Sequence, residues 1–131
     1  MGGSYTKFEP ELVNNTNLDW TLGKEALSKG KWNSKPPRSI KKNDSGSFKA
    51  YSQEDCVCDT AGEVVYSMGD GTKVNINWLV NYGSAGSYSF SMLAEGNNAD
   101  AYETITENDG QKGGGAYSTI KPKLTLQLKK S

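Results

Sequence analysis

The stretch that decides the fold is Val64–Val80, which reads VVYSMGDGTKVNINWLV. Two runs of alternating apolar and polar residues lie on either side of Asp70-Gly71. Glycine supplies the positive φ that a tight hairpin turn requires. Because successive side chains of a strand point to opposite faces, every second residue from Val74 onward faces the same way. The stretch therefore predicts a β-hairpin with one buried face.

The same alternation recurs along the chain. It covers three further sets: Leu18, Trp20 and Leu22; Tyr88, Phe90 and Met92; and Leu124, Leu126 and Leu128. Turn signals such as KNDSGS and EGNNAD separate the sets. Short strands with frequent turns are typical of sandwiches and barrels. We expect an all-β, single-domain antiparallel β-sandwich over residues 1–131, with its core at about 8–128.

Two segments leave room for other local structure. Residues 24–30, KEALSKG, contain helix formers, and either two helical turns or a strand and a turn fits them. Gly30–Ser52 is rich in lysine and contains Pro36-Pro37, which cannot donate ladder hydrogen bonds and so marks a sheet edge or a loop entrance. We expect Phe48 and Ala50 to face inward, and this basic stretch to be mainly structural.

Composition excludes several classes of function. The chain has 15 basic and 15 acidic residues and no histidine, so its formal net charge is zero. A whole-protein attraction to nucleic acid is therefore absent, and we expect no nucleic-acid partner. Without histidine, and without a phosphate-binding or EF-hand motif, we expect no enzyme activity, catalytic residue, cofactor or metal site.

The two cysteines, Cys56 and Cys58, are separated by one valine. In a strand such residues have Cα atoms about 6.5 to 7 Å apart, beyond the usual disulfide distance. We expect free thiols.

Aromatic and basic side chains are the best candidates for a binding site. Trp32, Tyr82 and Tyr88 have an apolar body and a polar tip, which suits a lipid headgroup layer or a sugar face. With Lys31, Lys35 and Arg38 they form the predicted lipid- or receptor-binding set. The structural alternative is that these rings pack in the core or across strands.

No run of about 18 to 20 apolar residues is present, and the first residues lack the apolar region of a secretory signal. We expect a soluble protein that resides in the cytoplasm of its producer or leaves by a non-classical route.

Several short motifs together resemble the aegerolysin family over about Phe8 to Leu128. They are closest to the bacterial branch that includes the small component of a binary insecticidal crystal protein. The matching positions are Asn14-Asn15, Gly30 to Trp32, Pro36, Phe48 to Ser52, residues 59–62 with Tyr66, and residues 81–82 and 86–88 ahead of Phe90. Asp59, Tyr82 and Tyr88 depart from the family pattern, and Cys56 and Cys58 lie outside it.

The resemblance implies a non-enzymatic, toxin-like β-sandwich that binds membrane lipid, often of the sphingolipid type, and often needs a larger partner to form pores. It also implies a crystal inclusion in the producer and action at target-cell membranes, with a cell-surface receptor as an alternative target. A carbohydrate-binding lectin is the alternative function, because the same aromatics can stack on sugars. The oligomeric state stays open.

Overall fold

The computed structural model describes residues 4–83, 87–108, 111–112 and 118–130. Its strands are β1 (Thr6–Phe8), β2 (Glu11–Asn15), β3 (Trp20–Lys29), β4 (Lys31–Ser34), β5 (Ser39–Ile40), β6 (Asp44–Ser47), β7 (Lys49–Tyr51), β8 (Thr60–Met68), β9 (Lys73–Val80), β10 (Tyr88–Glu95), β11 (Tyr102–Glu107), β12 (Gln111–Lys112), β13 (Ser118–Ile120) and β14 (Lys123–Leu128). A short 3-10 helix covers Ala99–Ala101. The predicted all-β sandwich is confirmed.

The predicted hairpin is confirmed as β8 and β9. Val64 lies opposite Ile76 in the antiparallel register. At the turn, Gly71 has a φ of 88°, and the Met68 N–H donates to the Thr72 carbonyl at 2.9 Å. Residues 24–30 form the end of β3 and a turn at Gly30, whose φ is 101°. The strand is therefore the correct alternative for that segment.

Three sheets form two layers. One layer is a five-stranded sheet in the order β10-β9-β8-β3-β5. The other layer consists of the sheets β12-β13-β1-β7-β4 and β11-β14-β2-β6. These two sheets continue one another, because β1 runs into β2, β6 into β7 and β13 into β14 across one or two residues. We call the first layer the β10–β5 sheet.

Among the described strands, the parallel pairs are β1 with β13 and β2 with β14. Pro10 and Pro122 lie where each strand passes from one sheet to the next. Proline cannot donate to a ladder, so both residues occupy the natural break. The Glu9 and Glu11 N–H groups still donate to the Ile120 and Pro122 carbonyls, at 2.8 and 2.9 Å, across that break.

The core is centred on Trp78 of β9. Its ring stacks on Phe8 at 5.1 Å between centroids and contacts Phe48 at 5.2 Å. Phe48 and Ala50 are fully buried, as predicted. Each fully buried large apolar side chain contributes about 1.5 to 3 kcal/mol to folding, so this aromatic cluster is a major part of the stability.

Two of the motif residues are structural. The buried Asn14 side chain donates to the Leu18 and Ile40 carbonyls at 2.8 and 3.0 Å and accepts from the Thr16 hydroxyl. It therefore holds the β2–β3 loop against β5. The Ser52 hydroxyl accepts from the N–H groups of Tyr5 and Thr6, which fixes the start of β1.

Two local expectations are wrong. Residues 44–47 were predicted as part of a turn, but they form β6. Their main chain pairs with β2, and this pairing does not depend on the kind of side chain. Leu128 is 42% exposed, although it follows the alternation of Leu124 and Leu126. It lies at the last position of β14, beyond the end of the β2 pairing. The diproline lies in the loop between β4 and β5, as predicted.

Candidate functional site

Four separate segments meet at one end of the sandwich. The Gln53 side chain donates to the Gly30 carbonyl at 3.2 Å, and the N–H of Tyr82 donates to the Asp59 carboxylate at 2.8 Å. The Tyr5 ring meets the Tyr82 ring edge-on, 5.4 Å between centroids. We call this surface, made of Tyr5, Gly30–Lys31, residues 53–59 and residues 81–83, the Tyr82 end.

The cysteine prediction is wrong: Cys56 and Cys58 are joined by a disulfide. Their Cα atoms are 5.2 Å apart, within the usual range for a disulfide. The prediction assumed an extended strand, but residues 53–59 form a loop in which Asp55 has a φ of 55°. The turn brings the two residues closer than a strand would.

The disulfide loop presents an apolar side chain to solvent. Val57, between the two cysteines, is 68% exposed. The Cys58 carbonyl accepts a hydrogen bond from the Thr6 hydroxyl at 3.2 Å, which ties the loop to β1. Tyr82 is 36% exposed at the same end. Sequence analysis missed Val57, although an apolar residue between two cysteines outside the strand pattern was the available signal.

Asp59 connects the loop to its neighbours. Besides accepting the Tyr82 N–H, its carboxylate forms an ion pair with Lys29 at 3.4 Å. Asp59 is one of the departures from the aegerolysin pattern, and Tyr82 is another. The structure places these two departures in direct contact, so they are parts of one local arrangement.

Lys31 is half-buried and paired. Its ammonium lies 2.6 Å from the Glu54 carboxylate. This hydrogen bond, and the charge of Lys31, lower the pKa of the Glu54 carboxyl below its usual value. Lys31 of this end and the neighbouring Lys29 thus each have an acidic partner.

The candidate aromatics Trp32 and Tyr88 lie behind this surface. The Trp32 ring is half-buried and contacts Phe48 at 5.7 Å and Trp78 at 6.0 Å. The residues next to Trp32 in the sequence did not indicate these aromatic contacts, because both partners lie elsewhere in the chain. Tyr88 begins β10, is half-buried and stacks on Phe90 at 6.3 Å.

Lys35 and Arg38 lie away from the Tyr82 end. Lys35 forms an ion pair with Glu25 at 3.8 Å, and the Arg38 carbonyl accepts the Leu22 N–H. At about 3.3 Å per residue along β3, these contacts are roughly 13 and 23 Å from Lys29. The structure therefore does not bring the six predicted residues into one site.

A second feature lies on the outer face of the β10–β5 sheet. The side chains of Lys24 and Asn75 donate to the Glu63 carboxylate at 2.6 and 2.9 Å, and the Asn77 side chain donates to the side-chain amide oxygen of Asn75 at 2.5 Å. The hydrogen bonds from Lys24 and Asn75 lower the pKa of Glu63 below its usual value. A groove of about 610 Å³ lies beside these residues.

The described residues contain neither a metal-binding cluster nor a membrane-spanning helix. Within residues 4–83, 87–108 and 118–130, no three acidic or cysteine side chains are grouped so that they could hold a metal ion. In the same ranges, no helix has the length and apolar character needed to cross a membrane.

Neither a family model nor a curated protein matches the sequence. Solved structures do match. The lipid binding protein Nakanori has a TM-score of 0.76 at 11% identity, covering 95% of this chain and 72% of that one. IP-1A from Alcaligenes faecalis has a TM-score of 0.68 at 16% identity, covering 97% and 94%. RahU protein, solved in complex with Tris, has a TM-score of 0.70 at 14% identity, covering 98% and 99%. The chain shares their fold, which fits the aegerolysin-like sandwich that the sequence motifs predict.

Proposed function

We propose that this chain is a non-enzymatic, toxin-like protein that binds membrane lipid through the Tyr82 end. The observation that carries the proposal is the exposed pair Val57 and Tyr82, held at one end of the sandwich by Asp59, the Tyr5 ring and the disulfide loop. A lipid binding protein among the structures that share the fold supports the same class of ligand.

Insertion of this end into a headgroup layer is physically favourable. Complete burial of a valine side chain contributes about 1.5 kcal/mol, and a tyrosine keeps its hydroxyl among polar headgroups while its ring contacts the acyl boundary. Because Lys29 and Lys31 already have acidic partners, apolar contact rather than net charge provides most of the attraction.

We assign the predicted residues different parts in this binding. Tyr82 and Lys31 lie at the proposed contact surface. Trp32 and Tyr88 support that surface from the core side, since both rings are half-buried against other aromatics. Lys35 and Arg38 are outside the proposed site, because their contacts lie along β3 toward its other end.

The finer part of the proposal rests on the aegerolysin resemblance. The lipid is of the sphingolipid type, the membrane is that of a target cell, and a larger partner makes the pore. The chain alone should therefore bind vesicles without releasing a trapped dye. Dye release by the purified chain alone would contradict the need for a partner.

The direct test is sedimentation with vesicles of phosphatidylcholine that contain sphingomyelin or ceramide phosphoethanolamine, with and without sterol. Val57→Asp should lower binding about tenfold, because it removes a favourable burial and adds a charge. Tyr82→Ala should lower it too. Leu93→Asp is the matched control: Leu93 is 57% exposed, on β10, and should tolerate the change with binding intact.

Circular dichroism would confirm that all three variants fold. Trp32→Ala is a poorer probe, because it opens the core next to Phe48 and Trp78. Equal binding of Val57→Asp, Tyr82→Ala and the wild type would exclude the Tyr82 end as the lipid site.

A further inference from the structure

The groove on the outer face of the β10–β5 sheet is built from four neighbouring strands. Its lining residues come in threes from β3, β8, β9 and β10: Ala26, Leu27, Ser28; Ala61, Gly62, Glu63; Asn77, Trp78, Leu79; and Ser89, Phe90, Ser91. The side chains that point outward are mostly small, such as Ala26, Ala61, Ser89 and Ser91, and they leave a depression between taller neighbours. The strand register, rather than any local motif, creates the concavity.

One cross-strand row supplies most of the polar groups. Glu63 lies opposite Ala26 on one side and Asn77 on the other, and Asn77 lies opposite Ser91. The hydrogen bonds from Lys24 and Asn75 hold the Glu63 carboxylate, and the bond to Asn75 orients the Asn77 amide. These groups are fixed before a ligand arrives, so little side-chain freedom is lost on binding.

Hydrogen-bonding capacity remains unused along the groove. The hydroxyls of Ser28, Ser89 and Ser91 form no hydrogen bond with another described residue. Asn77 retains its carbonyl oxygen and one N–H. Groups that can donate and groups that can accept thus line the groove together with the apolar side chain of Leu79.

This mixture matches a neutral saccharide. A sugar hydroxyl both donates and accepts, which suits serine and carboxamide partners, while sugar C–H groups can contact Leu79. Among the described residues that line the groove, Glu63 is the one with a charge, so phosphates and acidic sugars are disfavoured. Its pairing with Lys24 weakens attraction for a cation as well.

The groove is continuous with the Tyr82 end. Leu79 and Ser89 pair within it, Val80 and Tyr88 pair next, and then the Asn81 side chain donates to the Ser87 hydroxyl at 2.6 Å. From Leu79 to Tyr82 the chain advances about 10 Å, a distance that one or two sugar rings can span. A ligand that starts at the membrane can therefore reach the groove.

We infer that this groove binds the neutral sugar headgroup of a membrane glycolipid while the Tyr82 end contacts the bilayer. The inference rests on the proposed lipid binding, and it adds the class of headgroup that gives selectivity. The outer row Ala26, Glu63, Asn77 and Ser91 is the recognition surface.

The experiment compares sedimentation with phosphatidylcholine–sphingomyelin vesicles, with and without glucosyl-, galactosyl- or lactosylceramide. At least one glycolipid should raise the affinity on the order of tenfold, which corresponds to two or three added hydrogen bonds. Asn77→Ala, which removes the amide, and Ser91→Trp, which fills the groove, should lose that gain and keep binding to sugar-free vesicles.

Thr21→Trp is the matched control, because Thr21 is exposed on the same sheet, opposite Ser67 and Ser39 and outside the groove. It should retain both kinds of binding. No gain with any of the three glycolipids, or a gain that survives both groove variants, would overturn the inference while the lipid-binding proposal stands.

If the wild type sediments with neither kind of vesicle, the lipid-binding proposal is wrong. A glycolipid is then also excluded as the source of the sugar. In the last part of the experiment, the free sugars glucose, galactose and lactose are added as competitors. Competition by a free sugar that removes only the glycolipid gain supports recognition of the headgroup. If the gain persists at saturating free sugar, and in Asn77→Ala, the groove is not the site.

Discussion

At the residue scale, Gly62 is the clearest constraint on the core. A Cβ atom at this position would lie 2.6 Å from the Ala26 carbonyl oxygen and 2.7 Å from Cζ2 of Trp78. Trp78 cannot shift easily, because Phe8 and Phe48 pack around its ring. Gly62→Ala should therefore lower the free energy of unfolding by about 1 to 3 kcal/mol. Urea denaturation measures this.

Gly69→Ala is the control for that prediction. A Cβ atom at Gly69 would have no atom of the described residues within 4 Å, so the change should stay within about 0.5 kcal/mol of the wild type. If both variants unfold at the same urea concentration, the close contact at Gly62 relaxes without a loss of stability.

A second prediction at this scale concerns Cys56 and Cys58. The purified protein should show no reaction with a thiol-alkylating reagent until it is unfolded and reduced, as mass spectrometry can report. For so small a ring, the chain-entropy model gives a stabilisation of about 1 to 2 kcal/mol, so the double variant Cys56→Ser, Cys58→Ser should still fold. Two alkylated cysteines in the native, unreduced protein would contradict the pairing.

At the element scale, the β8–β9 turn is held by Asp70. Its carboxylate accepts the Thr72 N–H at 3.0 Å and the Tyr102 hydroxyl at 2.8 Å. Burial, the hydrogen bond to Asp70 and the charge of Asp70 raise the pKa of Tyr102 to about 12. The turn and β11 are thereby joined, and the start of β11 depends on the ionisation of both partners.

This arrangement predicts a pH dependence of stability. Between about pH 10, where an unfolded tyrosine ionises, and about pH 12, the folded hydroxyl keeps its proton while the unfolded one loses it. The stability due to Tyr102 is thus complete below pH 10 and is lost as the pH rises. Tyr102→Phe should cost about 1 kcal/mol at neutral pH, and that difference should shrink above about pH 10.

The quantity to measure is the difference in free energy of unfolding between the wild type and Tyr102→Phe, because Tyr51 and Tyr66 also have raised pKa values. Urea unfolding at several pH values provides it. At neutral pH, Tyr82→Phe is a suitable control, since its hydroxyl forms no hydrogen bond with another described residue. A Tyr102→Phe difference that stays constant up to pH 12 would contradict the role of the hydroxyl.

Also at the element scale, period-two alternation was enough to predict the hairpin and the inward side chains of Phe48 and Ala50. It could not predict the parallel pairs, because the partners of β1 and β2 lie more than a hundred residues away. The apolar partners of Trp32 were hidden as well, because Phe48 and Trp78 lie on other strands, outside the local sequence of Trp32. The disulfide was missed because the strand geometry assumed for residues 56–58 does not hold in a loop. The groove depends on the register of four strands, which no local pattern reveals.

At the scale of the whole molecule, the balance of charge decides how membrane binding should respond to salt. The formal net charge is zero, Lys31 of the Tyr82 end is paired with Glu54, and the neighbouring Lys29 is paired with Asp59. Long-range attraction to an anionic surface is therefore weak. Binding of the wild type to vesicles with and without phosphatidylserine should differ little between low and high salt.

Removal of one partner should change that response. Glu54 is exposed and pairs only with Lys31 among the described residues, so Glu54→Gln frees a basic side chain at the proposed membrane surface. A lysine near an anionic bilayer strengthens binding about fivefold at low ionic strength, and the gain falls as the Debye length shortens from about 30 Å at 0.01 M salt to about 3 Å at 1 M.

Sedimentation with phosphatidylserine vesicles across that salt range measures the effect. Glu25→Gln, which frees Lys35 well away from the Tyr82 end, is the matched control and should gain little. If both variants gain equally, the attraction is a property of overall charge and the orientation is wrong. A gain confined to Glu54→Gln, and lost at high salt, places Lys31 at the bilayer and so fixes which end of the sandwich meets the lipid.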